Sequence, residues 1–161
     1  MSIEKAKAHL RRWNRDGDVQ EHDLSSATVE LAALALGTEA CRIAKTLSFL
    51  NGERTILLVA AGDARVENSL FKKTFGVKKV KMVPADEVEE RTGHAVGGVC
   101  PFGVPDGVDV YLDESLRRFE VVYPACGNDH SGVRLTIPEL ERATNAAGWV
   151  DVCRGWREDD K

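Results

Sequence analysis

The chain has 161 residues, of which 43% are hydrophobic and 30% charged, and its formal net charge is −4. This composition predicts one folded domain and excludes a disordered chain. No apolar run reaches the roughly 18 residues of a membrane span, and the charged N-terminal stretch lacks the apolar core of a secretion signal, so we expect a cytoplasmic protein without a membrane partner. The acidic balance excludes a broad basic face for a long duplex but leaves room for a small nucleic-acid contact.

The first part of the sequence predicts three helices followed by a hairpin. Apolar residues recur at helical spacing near the N-terminus, Ser26 is a typical cap for a second helix, and Gly37 is a typical end for it. Two alternating, β-rich stretches follow, and Asn51-Gly52 between them is typical of a tight turn. The predicted elements are helices over 2–14, 27–37 and 38–42, and strands over 43–50 and 52–62.

The rest of the sequence predicts further helices and several short strands. Thr136 and Glu139 match the T-x-x-E capping box, which predicts a helix beginning at Pro138. Residues 93–107 are dense in glycine and proline, so we expect a long loop there. The predicted elements are helices over 64–75, 85–92 and 138–148, strands over 78–84, 108–114, 118–124 and 132–137, and an edge strand within 149–156.

This element order is not a regular β-α-β alternation. It predicts a single domain over residues 1–161 of mixed α/β (α+β) class, with a largely antiparallel mixed sheet that curls and is surrounded by helices. The phosphate-binding patterns G-x-G-x-x-G after a first strand and G-x-x-x-x-G-K-[ST] are both absent from the sequence, which argues against a doubly wound nucleotide-binding fold.

Lys45 is the first residue that could carry chemistry. Strand alternation places it on one face with Ile43, Leu47 and Phe49, and lysine is rarely buried among apolar residues without a partner. One interpretation is an edge lysine whose ammonium reaches water. The other is a pocket lysine that holds an anion such as phosphate.

Two further charged stretches allow both a structural and a functional interpretation. Asp63 and Arg65 follow the strand over 52–62, where Asp63 could cap the next helix, or both residues could belong to a site at the strand end. A basic run precedes an acidic one, and it is either a solvated helix end or a guide for a phosphate backbone. The basic residues are Lys72, Lys73, Lys78, Lys79 and Lys81.

The stretch GGVCPFG, residues 97–103, combines glycines that allow close approach of the main chain with Pro101, which stiffens it. Successive N–H groups in such a loop can bind an anion or an oxyanion, although a plain surface connection is the alternative. Cys100 is a weak candidate nucleophile, because the sequence places no histidine beside it. The four cysteines and four histidines lack paired spacing, so we predict no metal site and no cofactor.

Seven motifs, in this order along the chain, resemble the YbaK/ProX family over roughly residues 26–147. They are AKTL at 44–47, ILLVAAGDARV at 56–66, KKVKM at 78–82, TGHAVGGVCPFG at 92–103, VYLDESL at 110–116, VVYPACG at 121–127 and VRLTIPEL at 133–140. The family comprises aminoacyl-tRNA deacylases and the editing insertion of bacterial prolyl-tRNA synthetases. The resemblance implies a mixed α/β domain with a highly curved sheet, and hydrolysis of the ester between a wrong amino acid and the 3′-terminal adenosine of tRNA. The implied partners are the tRNA acceptor end and an aminoacyl-tRNA synthetase.

The resemblance also implies site residues. Lys45 matches the family's pocket lysine near the terminal adenosine's phosphate, and Thr46 beside it lines the pocket. Gly97 and Pro101 match the family's G-x-x-x-P loop, which includes Gly98 and Val99 and presents main-chain groups to the ester. The terminal ribose 2′-OH would help to activate the water, and N–H groups near Gly97 and Gly98 would stabilise the oxyanion.

The stretch over residues 123–130 departs from the family pattern. No serine aligns there, and the position of the family's aspartate falls near Gly132. Gly127, Asp129 and His130 are the residues that we expect to form this wall of the substrate site. Two alternatives to a deacylase remain open at this point: a non-catalytic module that binds tRNA ends or a synthetase, and a hydrolase of small esters or nucleotides.

Overall fold

A six-stranded mixed sheet forms the centre of the protein in a computed structural model that describes residues 2–22 and 28–157. The described α-helices are α1 (Ser2–Arg11), α2 (Val29–Leu36), α3 (Asn68–Phe75), α4 (Val88–Thr92) and α5 (Ile137–Thr144). The described strands are β1 (Val19–Glu21), β2 (Ile43–Asn51), β3 (Arg54–Ala61), β4 (Arg65–Val66), β5 (Val108–Asp113), β6 (Val121–Pro124), β7 (Ser131–Val133), β8 (Leu135–Thr136), β9 (Gly148–Val150) and β10 (Cys153–Arg154). Short 3₁₀ turns cover Asp16–Asp18, Ala40–Arg42, Ala85–Glu87 and Glu114–Arg118.

The strand order in the central sheet is β8-β6-β2-β3-β5-β9. The β2–β3 hairpin and the β6–β8 pair are antiparallel, whereas β2–β6, β3–β5 and β5–β9 are parallel. The mixed α/β class is therefore confirmed, but parallel pairs outnumber antiparallel ones in this sheet, contrary to the expectation of a largely antiparallel one. The chain between β3 and β5, which includes α3 and α4, is long enough to be the crossover that a parallel pair needs.

The core lies around β3, whose residues 55–61 are all buried. A continuous apolar run of this kind is typical of a strand that is covered on both faces. On one side of the sheet the Phe49 ring packs on Phe71 of α3 at 4.6 Å, and Phe71 packs on Phe75 at the same centroid distance. This packing fixes α3 against β2, and so fixes the strand that carries Lys45.

Several predicted elements have different bounds in the structure. Ser26 lies outside the described residues, and the Thr28 side chain caps α2. The helix predicted over 64–75 begins at Asn68, because Arg65 and Val66 pair with β10. The predicted strand over 78–84 makes only a single bridge, from Met82 to Phe49, and the C-terminal stretch forms two short strands instead of one.

The capping box at the start of α5 is confirmed. The Thr136 side chain accepts a hydrogen bond from the Glu139 N–H at 3.3 Å, and the Glu139 carboxylate accepts one from the Thr136 N–H at 2.9 Å.

The described residues also form two small antiparallel sheets, β1–β7 and β4–β10. No helix in the described part of the chain is long and apolar enough to span a membrane.

Candidate active site

The edge of β2 that faces β6 has a gap in its pairing. Ile43 and Ala44 pair with β6, and farther along the strand the Leu50 N–H donates to the Lys81 carbonyl at 2.8 Å. The residues between these two pairings include Lys45 and Thr46. The gap opens into a cavity of about 510 Å³, a size typical of small-molecule sites.

The cavity wall combines five segments of the chain. They are Thr28, Val29, Ala32 and Leu36 at α2; residues 43–48 of β2; Met82, Val83, Ala85 and Val88 before and within α4; Val96, Gly97 and Val99 of the glycine-rich loop; and Tyr123, Ala125 and Ser131. Most of these side chains are apolar, with a few polar groups among them. This mixture is typical of a pocket that encloses an organic ligand and orients it by a few hydrogen bonds.

Lys45 lies on this wall, and its ammonium group is held at the end of β3. Nζ donates to the Gly62 carbonyl at 3.4 Å and also to the Ala64 carbonyl. Burial lowers the pKa of Lys45, while Cys153 and Asp63 nearby act in the opposite direction. An ammonium group has three N–H donors, so these two carbonyls leave one donor for a ligand. The arrangement can bind an anion at a fixed position.

Thr46 and Ser131 bring two buried hydroxyl groups to the same cavity. Ser131 is only 1% exposed. Neither the Thr46 Oγ1 atom nor the Ser131 Oγ atom has a hydrogen-bond partner among residues 2–22 and 28–157. No local sequence pattern marks Ser131 as a site residue, because burial without a partner is a property of the folded chain.

The glycine-rich loop contributes Gly97 and Val99 to the wall. Gly97 has a φ of 89°, which disfavours any residue with a side chain. The Gly98 N–H donates to the Ala95 carbonyl at 3.0 Å, so it is engaged within the loop and does not fit the oxyanion role expected for it. Pro101 is buried and lies outside the cavity wall, where it can stiffen the loop but not contact a ligand.

Gly98 holds this loop against the loop that contains Gly127. A Cβ atom on Gly98 would lie 2.3 Å from the Cα atom of Asn128, a distance that real structures do not allow. Gly127 is buried and has a φ of 97°. The two loops are therefore in main-chain contact, and Gly127 lies in the loop that faces Gly98 rather than on the cavity wall.

His94 and Cys100 brace the glycine-rich loop from inside. The His94 ring donates through Nε2 to the Phe102 carbonyl at 2.6 Å, and the Cys100 sulfur lies 3.4 Å from the same nitrogen. The structure thus supplies the histidine that the sequence did not indicate. Burial nevertheless raises the pKa of Cys100 to about 12 and lowers that of His94. A fully buried, protonated thiol is a structural group and not a nucleophile.

Four further predicted site residues, besides Gly98, Pro101 and Gly127, lie outside the cavity wall. Arg118 binds the Asp63 carboxylate through two N–H donors, at 2.5 and 2.9 Å, and Arg65 is exposed in β4. The His130 ring contacts the Asp129 carboxylate at 2.5 Å, and both side chains are about half exposed. The structure brings Lys45, Thr46, Gly97 and Val99 together, and it leaves these four residues elsewhere.

The predicted basic run lies at the surface and leads towards the cavity. The side chains of all five lysines, Lys72, Lys73, Lys78, Lys79 and Lys81, are exposed. Lys81 immediately precedes Met82, which lies on the cavity wall and is 56% exposed. A polyanion that approaches the cavity from this side would meet positive charge first.

The aminoacyl-tRNA editing domain family matches residues 25–143 of the chain. The chain belongs to this family. Among its relatives, the uncharacterised protein YwhH of Bacillus subtilis (strain 168) is 48% identical over 97% of this chain and 99% of its own length. EbsC of Enterococcus faecalis, whose name proposes a Cys-tRNA(Pro)/Cys-tRNA(Cys) deacylase, is 28% identical over 73% of each chain.

The fold of the chain agrees with this family. A crystal structure of a proposed trans-editing enzyme for prolyl tRNA synthetase superposes with a TM-score of 0.85, at 30% identity, over 96% of this chain and 98% of that one. A proline–tRNA ligase of Shouchella clausii is 30% identical over 99% of this chain, which spans 28% of that synthetase. The resemblance to the YbaK/ProX editing domains is therefore confirmed.

Proposed function

We propose that this editing-domain protein is a trans-acting aminoacyl-tRNA deacylase that hydrolyses the ester of a mischarged tRNA. The observation that carries this proposal is a single cavity whose wall includes both Lys45 and the glycine-rich loop. The proposal also draws on the name of EbsC and on the trans-editing title of the similar crystal structure, which describe those proteins.

Lys45 is the anchor for the tRNA end in this proposal. Its ammonium group binds the phosphate of the terminal adenosine with the donor that Gly62 and Ala64 leave over. The exposed lysines before Met82 attract the single-stranded end, whereas the acidic remainder of the chain stays clear of the tRNA body. Thr46, next to Lys45 on the wall, contacts the bound aminoacyl adenosine.

The glycine-rich loop stabilises the negative charge that develops on the ester's carbonyl oxygen during hydrolysis. Because the Gly98 N–H is engaged in a turn, the oxyanion donors are the main-chain N–H groups of Gly97 and Val99. The terminal ribose 2′-OH orients or activates the attacking water, so the protein needs no nucleophile of its own. Main-chain donors that are fixed before the reaction stabilise the developing charge without reorganising.

A separate hydrolytic site is useful because a synthetase cannot reject every similar amino acid by binding alone. A hydrophobic pocket discriminates one methylene by only about 1–3 kcal/mol.

We place the activity in the cytoplasm, where tRNAs are aminoacylated, and an aminoacyl-tRNA synthetase is the second partner that we propose. Prolyl-tRNA synthetase is the first candidate, since related domains lie within that enzyme.

The test is the release of amino acid from a panel of misacylated tRNAs by the purified protein. We expect at least one ester to be hydrolysed much faster than in buffer, and Lys45→Ala to abolish most of that rate. Lys7→Ala is the matched control, since Lys7 pairs with Glu21 on the surface and lies outside the cavity wall. Binding of tRNA without hydrolysis of any ester would favour a non-catalytic module on the same fold.

A further inference from the structure

We propose that the cavity selects an aminoacyl group with a side-chain hydroxyl, seryl or threonyl, through the hydroxyl groups of Ser131 and Thr46. The inference rests on the proposed deacylase function and names the substrate class of the same site. Its starting point is the pair of buried oxygen atoms, Ser131 Oγ and Thr46 Oγ1, that have no hydrogen-bond partner among the described residues.

Buried polar atoms without partners are rare in folded proteins, because each one loses its hydrogen bonds to water and gains none in return. Two other buried hydroxyls in this chain do have partners: Thr92 donates to the Val88 carbonyl at 2.7 Å, and Ser115 accepts from the Ala61 N–H at 3.1 Å. Two unpartnered hydroxyls on one cavity wall therefore point to a ligand as the missing partner.

The depth of Ser131 indicates which part of the ligand it meets. Ser131 is 1% exposed, whereas Met82 and Val96 on the same wall are 56% and 64% exposed and mark the mouth. The body of the tRNA must stay outside the mouth, and the ester that joins the terminal adenosine to the amino acid must lie beside Gly97 and Val99 for hydrolysis. The group that extends farthest inwards is then the amino-acid side chain, so it is this group that reaches Ser131.

The surroundings of Ser131 fit a small side chain with one hydroxyl. The neighbouring residue, Gly132, lies so close to Leu36 that a Cβ atom there would be 2.7 Å from the Leu36 side chain. Val29, Ala32 and Ile43 supply apolar wall nearby and offer no side-chain hydrogen bond. An apolar pocket that contains a hydroxyl group, which can both donate and accept a hydrogen bond, accommodates the methyl and hydroxyl groups of threonine. The same pocket disfavours a charged side chain.

A site built to hydrogen-bond a substrate hydroxyl rejects the analogue that lacks it, because the protein's own polar groups then stay unpaired. The isosteric pairs threonine and valine, and serine and alanine, isolate this effect. We expect the wild-type protein to deacylate Thr-tRNA at least about 100-fold faster than Val-tRNA on the same tRNA, and Ser-tRNA faster than Ala-tRNA.

The variants Ser131→Ala and Thr46→Val test the assignment. We expect each to reduce the Thr/Val ratio of kcat/KM by about 10- to 100-fold, mainly through slower cleavage of Thr-tRNA. An unchanged ratio in both variants overturns the inference. Equal cleavage of Val-tRNA and Thr-tRNA by the wild-type protein also overturns it but leaves the deacylase standing, whereas failure to cleave any ester in a broad panel defeats the proposed function itself.

Thermal unfolding supplies a readout that is independent of activity. Ser131→Ala removes a hydroxyl without a partner, so its Tm should equal or exceed that of the wild type. Ser115→Ala is the matched control, because it removes a buried hydroxyl that accepts a hydrogen bond, and its Tm should fall. If Ser131→Ala lowers the Tm as Ser115→Ala does, the Ser131 hydroxyl has a structural partner and the inference is wrong.

Discussion

The Lys45 Nζ atom lies 3.4 Å from the carbonyl oxygen of Gly62, just beyond the end of the strand that pairs with the lysine's own strand. The pKa of this ammonium group is lowered from 10.5 by burial. Its charged form, which a phosphate requires, is therefore lost as pH rises through a value below 10.5. We therefore expect the affinity for tRNA that carries no amino acid to fall as the pH rises through the pKa of Lys45.

Lys45→Arg is the control for this prediction, because a guanidinium stays charged throughout the range. Fluorescence anisotropy with labelled tRNA measures both proteins. The wild-type affinity should fall with rising pH more steeply than the affinity of the arginine variant. Superimposable pH profiles would mean that the Lys45 charge does not hold the tRNA.

A methyl group on Gly98 should disrupt the contact between the two loops. Gly98→Ala places a carbon 2.3 Å from the Asn128 main chain, and such overpacking typically costs about 1–3 kcal/mol of the free energy of unfolding. Gly148→Ala is the matched control, since a Cβ there meets nothing within 4 Å. Urea denaturation compares the two variants. Equal stability would show that the loops can separate at little cost.

Cys100 should be chemically inert in the folded protein. Its pKa is raised to about 12 by burial, so very little thiolate exists near pH 7.5, and the sulfur is 0% exposed. Partly exposed Cys41 serves as the internal control. Mass spectrometry after brief iodoacetamide treatment should find Cys41 modified and Cys100 unmodified, and Cys100→Ala should retain deacylation. Rapid labelling of Cys100, or loss of deacylation in a folded Cys100→Ala variant, would contradict this prediction and support Cys100 as a nucleophile.

The exposed lysines near Met82 should assist binding of tRNA and not the chemical step. Replacing Lys78, Lys79 and Lys81 by glutamine should raise KM and leave kcat unchanged. The plot of log binding constant against log salt concentration should become shallower, by about 0.7 in slope for each phosphate contact to a single strand that is lost. Arg12→Gln, an exposed change outside the cavity wall, is the control. A triple variant with unchanged KM and an unchanged salt dependence would show that these lysines do not contact the tRNA.

The elements that sequence analysis predicted well are those that local chemistry specifies. The hairpin of β2 and β3 follows from two alternating strands around Asn51-Gly52, and the start of α5 follows from the Thr136–Glu139 box. The parallel pairs were not foreseen, because they join strands that are distant along the chain. The same holds for β4, whose pairing with β10 shortens the helix predicted from residue 64.

The candidate site was predictable where a residue type carries the chemistry by itself. A lysine on an apolar strand face and a glycine-rich loop each allowed a ligand site beside a plain structural interpretation, and both lie on the cavity wall. Asp63 was a reasonable candidate by position, but Arg118 from a distant segment binds its carboxylate. The Gly98 N–H, expected from the sequence to face an oxyanion, instead donates to the Ala95 carbonyl, and such a contact depends on loop geometry that the sequence does not state.

The most direct test of the central claim is the rate at which the purified protein releases amino acid from misacylated tRNA, measured beside Lys45→Ala. The proposed function predicts that the wild-type protein accelerates hydrolysis of at least one ester, and that the folded Lys45→Ala variant loses most of this acceleration. Decay of every ester at the rate seen in buffer, or full activity of the Lys45→Ala variant, would contradict it.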